Sequence, residues 1–575
     1  MSETAIKPSG ASSTRGSMSS RVGQPEGSSC SLTPVSSRSA PARTALRHVY
    51  ACVTAVVVLL LTVNSAHGEL PPAKKAHWND ENIVHDGKNW VHIPEEVYGH
   101  PHAPYDDRWK QNSSTIMVLV AALRETRLPL TLKSAFDNAD FPERIRFGVV
   151  QQNKPTDEDS LAKLCELRDK PLIKTENGEY ENPNGCVEFD KVRLLRLDAS
   201  EAAGPVYARG LQPELLQDED FCLQIDAHTI FKKGWDRDLL REWGLTNNEF
   251  AVLSTYPTNY KDLGKNSNKH WEMPHICGAK IGGGGYISNK QAGAAANLKK
   301  PLLAPLWAAG FSFSRCHAER WVPNDKHLRH VFSGEEFHRA ARLWTNGYDF
   351  YSITRPTIGV YYGSEKGGSG GWHSNKAEYK KSIQRLMTAI EFKDSDQSPE
   401  ARAELGEYVL GTRRTIDQYI AFSGVDVRNV VAKDRCLVEY VPWDDSGLKE
   451  KIEQEERELK EKYKQSSLGS SSQSEADVET AKSYTASKVS ATGGLLRSKP
   501  FDLPPFERET GGIAAAIPLT GIQASSALPP KPGTSSLARL SLAGIFIFFC
   551  GLRGLFELRR RGMLRDWRFK GRRAQ

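Results

Sequence analysis

Nowhere in this chain of 575 residues do two cysteines fall in a CxxC spacing, so the paired-thiolate signature of a structural zinc site is missing. Large apolar residues are scarce over 1–49 and again over 467–536, where Ser, Gly, Pro, Ala and Thr dominate. Neither stretch buries enough apolar surface to offset the entropy of ordering it, which makes 1–49 a disordered tail and 467–536 a flexible linker. No internal repeat is visible, which excludes solenoids and propellers. Apolar heptads are also missing: GLKEKIEQEERELKEKYKQ, Gly447 to Gln465, carries Glu and Lys at helical spacing with almost no apolar stripe. Residues 446–466 therefore read as a solvated spacer helix and not as a coiled coil.

The formal net charge is +7, and much of the excess crowds into 559–575, where Arg559, Arg560, Arg561, Arg565, Arg568, Lys570, Arg572 and Arg573 adjoin an apolar run. A basic tail of that kind is not a nucleic-acid-binding domain, and no nucleic-acid partner is expected. YACVTAVVVLLLTVNSA, 50–66, is uncharged and barely long enough to cross a bilayer core. Arg38, Arg43 and Arg47 precede it and Glu69 follows, so it reads as a signal anchor with 1–49 in the cytosol and the bulk of the chain lumenal. A cleaved signal peptide ending near Ala66 is the competing reading. LARLSLAGIFIFFCGLRGLFEL, 537–558, is either a second transmembrane helix with Arg539 and Arg553 snorkelling at its ends or an amphipathic interfacial helix. If it spans, the basic tail returns to the cytosol, in agreement with the orientation of the first segment.

Of the nine cysteines, six fall in the lumenal part: Cys165, Cys186, Cys222, Cys277, Cys316 and Cys436. Their even number suits an oxidising compartment and permits fifteen pairings. Asn112-Ser113-Ser114 is an acceptor sequon compatible with lumenal exposure. Residues 67–110, with Pro71, Pro72, Pro94, Pro101 and Pro104, read as a stem that packs only partly onto a domain over 111–445.

That domain opens with TIMVLVAALRET, Thr115 to Thr126, a run suited to a strand buried on both faces. A helical stretch at 130–140 and a second buried strand, IRFGVVQQN at Ile145 to Asn153, complete a parallel βαβ unit. Further strands at 192–197, 222–225 and 250–254 give an α/β domain with a mostly parallel sheet, in which ligands gather beyond the carboxyl ends of the strands. At such an end stands Asp226-Ala227-His228, whose two outer side chains project the same way and can chelate one divalent ion; the competing reading is an Asp capping the next turn. The run KIGGGGYISN, Lys280 to Asn289, lacks the Lys-Ser/Thr ending of a phosphate-binding loop and reads as a mobile loop over a donor or as a plain turn. Trp307, Phe311 and Phe313 either floor a sugar site or belong to the core.

Three ordered blocks carry a resemblance: SAFDNADFPERIRFGVVQQN at Ser134 to Asn153, CLQIDAHTIFKKGWD at Cys222 to Asp236, and FSGEEFHRAARLWTNGYDFY at Phe332 to Tyr351. From Thr115 to about Trp372 the chain resembles the polypeptide α-N-acetylglucosaminyltransferases. That family includes cytosolic enzymes that modify hydroxyproline on the Skp-type ubiquitin-ligase adaptor and Golgi enzymes that start mucin-type chains in protozoa. The resemblance implies a GT-A fold, a UDP-GlcNAc donor, a Ser, Thr or hydroxyproline hydroxyl of a polypeptide as acceptor, and retention of the α configuration. It implies a divalent cation, usually manganese (Mn2+), on Asp226 and His228. With the anchor, it places a lumenal catalytic domain in the Golgi or endoplasmic reticulum membrane.

By the same resemblance Arg124 contacts the donor, although Ala122, Leu123 and Glu125 depart from the family's Ser-Tyr-Arg-Asp pattern and a surface ion pair is the alternative for Arg124. Asp226 also belongs to the donor site. Glu335 and Glu336 form an acidic pair facing the acceptor and donor sugar, with Glu335 the functional member. Ser333 and Glu336 alternatively form a capping box for a helix burying Phe337, Ala340, Ala341 and Trp344. A third metal ligand is expected from a His after the Gly-Tyr-Asp block, where this chain has Tyr361 and Tyr362; His373, among glycines, is the nearest candidate. The altered first loop and that missing His support the rival expectation of a catalytically degenerate, glycan-binding membrane protein.

Overall fold

In a computed structural model, residues 72–264, 271–282, 286–290, 292–363 and 375–468 are described. Both apolar segments, the flanks 1–49 and 467–536 except for the end of one helix, the basic tail and His373 lie outside the described residues. Among the described residues no helix is long and apolar enough to cross a membrane.

Eight strands form the central sheet: β1 Ile116–Leu123, β2 Ile145–Asn153, β3 Val192–Asp198, β4 Phe221–Asp226, β5 Ala251–Ser254, β6 Leu302–Ala304, β7 Phe311–Arg315 and β8 Asp349–Ser352. Their order is β6-β8-β5-β7-β4-β1-β2-β3. The half β4-β1-β2-β3 is parallel throughout, as the β-branched, doubly buried runs of β1 and β2 predict. In the other half β5 and β8 are parallel, while β7 runs antiparallel to β4 and β5, and β6 antiparallel to β8. The sheet is thus mixed, with the parallel pairings concentrated where the chemistry-bearing motif emerges. Ala121 pairs with Asp226 and Leu123 with Gln152, so the carboxyl ends of β1, β2 and β4 share one edge.

Helix α1, Leu128–Asn138, buries Leu128, Leu132, Ala135 and Phe136 against this sheet and begins two residues earlier than the sequence suggests, with Pro129 tolerated in its first turn. Helix α2, Pro205–Gly210, precedes β4, and α3, Trp235–Leu245, follows it. Asp236 of the Gly-Trp-Asp turn is wholly buried, where it accepts the Asp140 and Phe141 N–H groups and the Arg144 guanidinium. It is a structural anchor.

Helix α4, Glu335–Thr345, buries Phe337, Ala340, Ala341 and Trp344 as expected, but the capping box is not formed. Gly334 is the N-cap at φ +98°, with no side-chain cap, because the Glu336 carboxylate is drawn inward to other donors. Trp307, Phe311 and Phe313 belong to the core, with Phe313 stacked on Phe221. Ala279–Ile281 and Ile287–Asn289 on either side of the glycine run pair antiparallel, and Gly283, Gly284 and Gly285 lie outside the described residues.

Two further expectations are revised. In the stem, Ile83–His85 and Trp90–His92 pair with each other and join Glu272–His275 and Gly293–Ala296 in a four-stranded antiparallel sheet, with Ile83 and Val84 fully buried. The charged helix α5, Leu448–Leu468, is docked rather than a free spacer. Ile452 is buried, Glu456 pairs with Arg108 and Arg315, and Glu455 binds Arg320 and the Trp321 indole. Leu448 also packs on the core, Lys451 lies over the Trp321 ring and the Tyr463 hydroxyl donates to the Leu216 carbonyl, a mixture of contacts that does not register as an apolar stripe.

The six cysteines of the domain close three disulfides, Cys165–Cys186, Cys222–Cys316 and Cys277–Cys436, each contributing about 2–4 kcal/mol. The second ties β4 to the residue after β7 at the edge opposite Asp226.

Candidate active site

Asp226 ends β4 at the carboxyl edge of the sheet, and its Oδ1 accepts from Arg209 Nη2 at 3.0 Å. Arg209 lies in the last turn of α2 and is almost wholly buried. Its Nη1 donates to Glu335 Oε1 at 2.9 Å, so one guanidinium bridges the end of β4 and the start of α4. Gly310 lies against Asp226, where a Cβ would stand 3.0 Å from Oδ2, so only glycine leaves the carboxylate free to be approached from that side.

Charge is left over in this cluster. Burial pushes the Glu335 carboxyl up to about 7, with Arg209 opposing the shift and the charges of Glu336 and Asp226 adding to it. Arg209 Nε and Glu335 Oε2 are buried without a hydrogen-bond partner among the described residues. Such atoms cost about 1–3 kcal/mol each unless something meets them.

Glu336 is engaged differently. Its Oε1 accepts the Ala309 N–H at 3.1 Å, and its Oε2 accepts from the Tyr256 hydroxyl and Asn289 Nδ2, each at 3.0 Å. Asn289 also donates to the Trp307 carbonyl. The carboxylate thereby cross-links α4, the Ile287–Asn289 strand and the loop carrying Gly310, and burial raises its pKa against the pull of the Ala309 and Tyr256 donors.

His228, two residues beyond Asp226, places Nδ1 3.1 Å from Glu125 Oε2. Burial depresses the imidazole, yet the Glu125 hydrogen bond and the Asp226 charge outweigh it and raise its pKa overall. With Nδ1 donating to that carboxylate, the lone pair sits on Nε2, the arrangement in which a carboxylate orients a metal-binding histidine. The Tyr361 N–H donates to the His228 carbonyl at 3.1 Å, and the Arg127 guanidinium stacks 3.7 Å from the centre of the Tyr361 ring. The neighbouring Tyr362 donates its hydroxyl to the Pro257 carbonyl at 2.8 Å.

Among the described residues no group of three or more His, Cys, Asp or Glu is arranged to hold a metal. Among the described residues Asp226 Oδ2 and His228 Nε2 carry no hydrogen bond, and both side chains are about one-third exposed. A mixed oxygen and nitrogen pair suits manganese.

The structure thus brings Asp226 and Glu335 onto one arginine, and sets Glu336 and His228 beside them. Arg124 is elsewhere engaged: at φ +51° its guanidinium makes a two-point ion pair with Asp157, the surface pairing that was the alternative to a donor contact. Arg209 and Glu125 were not singled out from the sequence as site residues. Nothing marks Arg209 in PVYARG, whereas Glu125 is one of the departures in the first loop, and its pairing with His228 gives that departure a role.

A family model described as Glycosyltransferase (GlcNAc) matches residues 115–429. No curated protein matches the chain. Among solved structures, it is similar to GalNAc-T7 with UDP, GalNAc and Mn2+, at 13% identity over 60% of this chain and 59% of that one, with a TM-score of 0.35. The mannosyltransferase PcManGT from Pyrobaculum calidifontis in complex with GDP-Man and Mn2+ is similar at 13% identity over 56% and 76%, TM-score 0.28. TarS 1–349 of S. aureus in complex with UDP-GlcNAc is similar at 11% identity over 54% and 73%, TM-score 0.30. The chain spans 59% of the length of the GalNAc-T7 chain.

Proposed function

The chain belongs to the glycosyltransferase (GlcNAc) family, whose model covers more than half of it, and on that premise we propose that it transfers GlcNAc from UDP-GlcNAc to a Ser, Thr or hydroxyproline hydroxyl of a polypeptide, with retention of configuration. The observation that carries the reading is Arg209 bridging Asp226 and Glu335 at the carboxyl edge of the sheet, beside a histidine oriented by Glu125.

Asp226 Oδ2 and His228 Nε2 would hold a divalent cation, manganese by donor type, and the cation would neutralise charge on the departing diphosphate. Arg209 fixes the spacing of Asp226 and Glu335, and its unpartnered Nε is a donor available to the donor sugar or its phosphates. Glu335 Oε2 is the free acceptor that orients the incoming hydroxyl or a GlcNAc hydroxyl. The bond from C1 to the UDP oxygen breaks, its electron pair leaving with the diphosphate, while the acceptor oxygen bonds to C1 and releases its proton. Glu335, titrating near neutrality, is suited to hold that proton. Glu336 accepts three hydrogen bonds from the protein itself and acts by keeping Gly310 and the Ile287–Asn289 strand in place.

The three disulfides support a Golgi or endoplasmic reticulum lumen for the domain, held to the membrane by 50–66. The test is to purify the full chain in detergent and measure UDP-GlcNAc hydrolysis and GlcNAc transfer to Ser/Thr and hydroxyproline peptides, with and without manganese. Metal-dependent transfer lost in Asp226→Ala supports the proposal. Glycan or UDP-GlcNAc binding without turnover supports a degenerate, glycan-binding protein instead.

A further inference from the structure

We propose that Asn112 carries an N-linked oligosaccharide, attached during translocation and before the turn that holds it closes. The inference rests on the lumenal placement proposed above. Asn112-Ser113-Ser114 is the only Asn-x-Ser/Thr sequence in the chain. Asn112 and Ser113 are exposed in a turn between the short helical turn Arg108–Lys110 and β1. That turn enters the sheet at the start of β1, whereas the Asp226 cluster stands at the carboxyl ends of the strands. The eight residues of β1 separate the two by about 25 Å at ~3.3 Å per residue, so a glycan on Asn112 leaves the donor cleft open.

Ser114, whose hydroxyl the acceptor sequence requires, is in the opposite state. It is 2% exposed, its N–H donates to the Gln111 carbonyl at 3.3 Å, and its hydroxyl donates to the Arg108 carbonyl. The turn is fastened on both sides. Arg108 pairs with Asp220 and Glu456, and the Trp109 ring lies so close over Gly244 that a Cβ there would be 2.3 Å from it. The folded domain therefore presents the acceptor nitrogen but withdraws the serine hydroxyl that recognition needs, so attachment precedes folding of this turn. In the step, Asn112 Nδ2 bonds to C1 of the oligosaccharide as the C1–O bond to its lipid-diphosphate carrier breaks. The electron pair leaves with the diphosphate, and the amide proton passes to a base of the transferring enzyme.

The full chain is expressed in a secreting eukaryotic cell and digested with a peptide-N-glycosidase. The native chain is expected to shift on a gel by one glycan, and Asn112→Gln to show no shift. A second variant, Glu179→Thr, turns Asn177-Gly178-Glu179, in an exposed turn between Ile173–Lys174 and Tyr180–Glu181, into an acceptor sequence that reports the compartment independently. An unmodified native chain beside a Glu179→Thr variant modified at Asn177 overturns the Asn112 assignment alone. No glycan on either overturns the lumenal placement and this inference with it. Chain made without glycans, folded and then offered to the oligosaccharide-transferring enzyme, is expected to stay unmodified while the unfolded chain is modified; modification of both overturns the order of events.

Discussion

At the rear edge of the sheet Asp106 and Glu456 each face two arginines, Arg108 and Arg315, whereas at the front edge Asp226 and Glu335 share Arg209 alone among the described residues. Burial opposes ionisation at both edges. At the rear the paired guanidinium groups overcome it and hold Asp106 and Glu456 below their usual range; at the front burial wins and Glu335 rises to about 7. At the rear a helix that returns from the end of the domain supplies Glu455 and Glu456 as partners for the arginines. Both clusters bury guanidinium nitrogens without a hydrogen-bond partner among the described residues, Arg315 Nε and Arg320 Nη1 at the rear and Arg209 Nε at the front, but only the front also leaves a buried carboxylate oxygen, Glu335 Oε2, unmet. A site that binds a cation and a sugar diphosphate has to keep part of its electrostatics open, and the cost is borne by a fold fastened elsewhere.

The contrast can be broken from either side. Arg315→Met removes a side chain 1% exposed and strips Glu249, Glu456 and Asp106 of a shared partner. A loss of about 3–5 kcal/mol in urea unfolding is expected, with unchanged activity per folded molecule. A stable variant would show that the rear cluster is not a fastening. Asp226→Ala should do the converse: kcat/KM falls on the order of 10²–10³-fold, the size of losing one preorganised transition-state contact, while stability falls by only about 1–3 kcal/mol from the unmet Arg209 Nη2, less than at Arg315. Equal losses of stability and activity would erase the distinction between the two edges.

Glu335 sharpens the comparison through pH. A carboxyl whose folded pKa is raised to about 7 adds stability that is fully present below the ordinary value of 4.5 and lost as pH rises through 7. In metal-free protein, stability should fall between pH 4.5 and 7 by on the order of 2–3 kcal/mol from this group, and Glu335→Gln should abolish that part of the slope. An unchanged slope would mean that the front charge is already compensated. The smallest effect is expected at Arg124→Ala, because its exposed pairing with Asp157 touches neither cluster: activity and unfolding should both match the native chain. A large loss of donor affinity would return Arg124 to the donor site.

Much of this was legible in the sequence, but unevenly. The parallel half could be read because β1 and β2 are long, β-branched and doubly buried, and Asp226 because it ends such a run. The antiparallel strands β6 and β7 are short, and their direction is set by which neighbours they meet, which no local pattern records. In the site, Asp226, His228 and Glu335 stand in blocks with a recognisable order. Arg209 does not, since one arginine in a six-residue helix looks like any other until β4 and α4 close on it. Ser333 and Glu336 have the spacing of a capping box, yet three donors from the Ile287–Asn289 strand, the Gly310 loop and Tyr256 outbid the helix terminus. The charged helix misled for a related reason, because ion pairs to Arg108, Arg315 and Arg320 leave no apolar periodicity.

The central claim is that Asp226 and His228 together hold a divalent cation at the front edge. Electron paramagnetic titration of manganese into the purified chain in the presence of UDP tests it most directly. The account predicts one bound ion per chain, lost in both Asp226→Ala and His228→Ala and retained in Arg124→Ala. Manganese bound equally well by the Asp226→Ala and His228→Ala variants would contradict it.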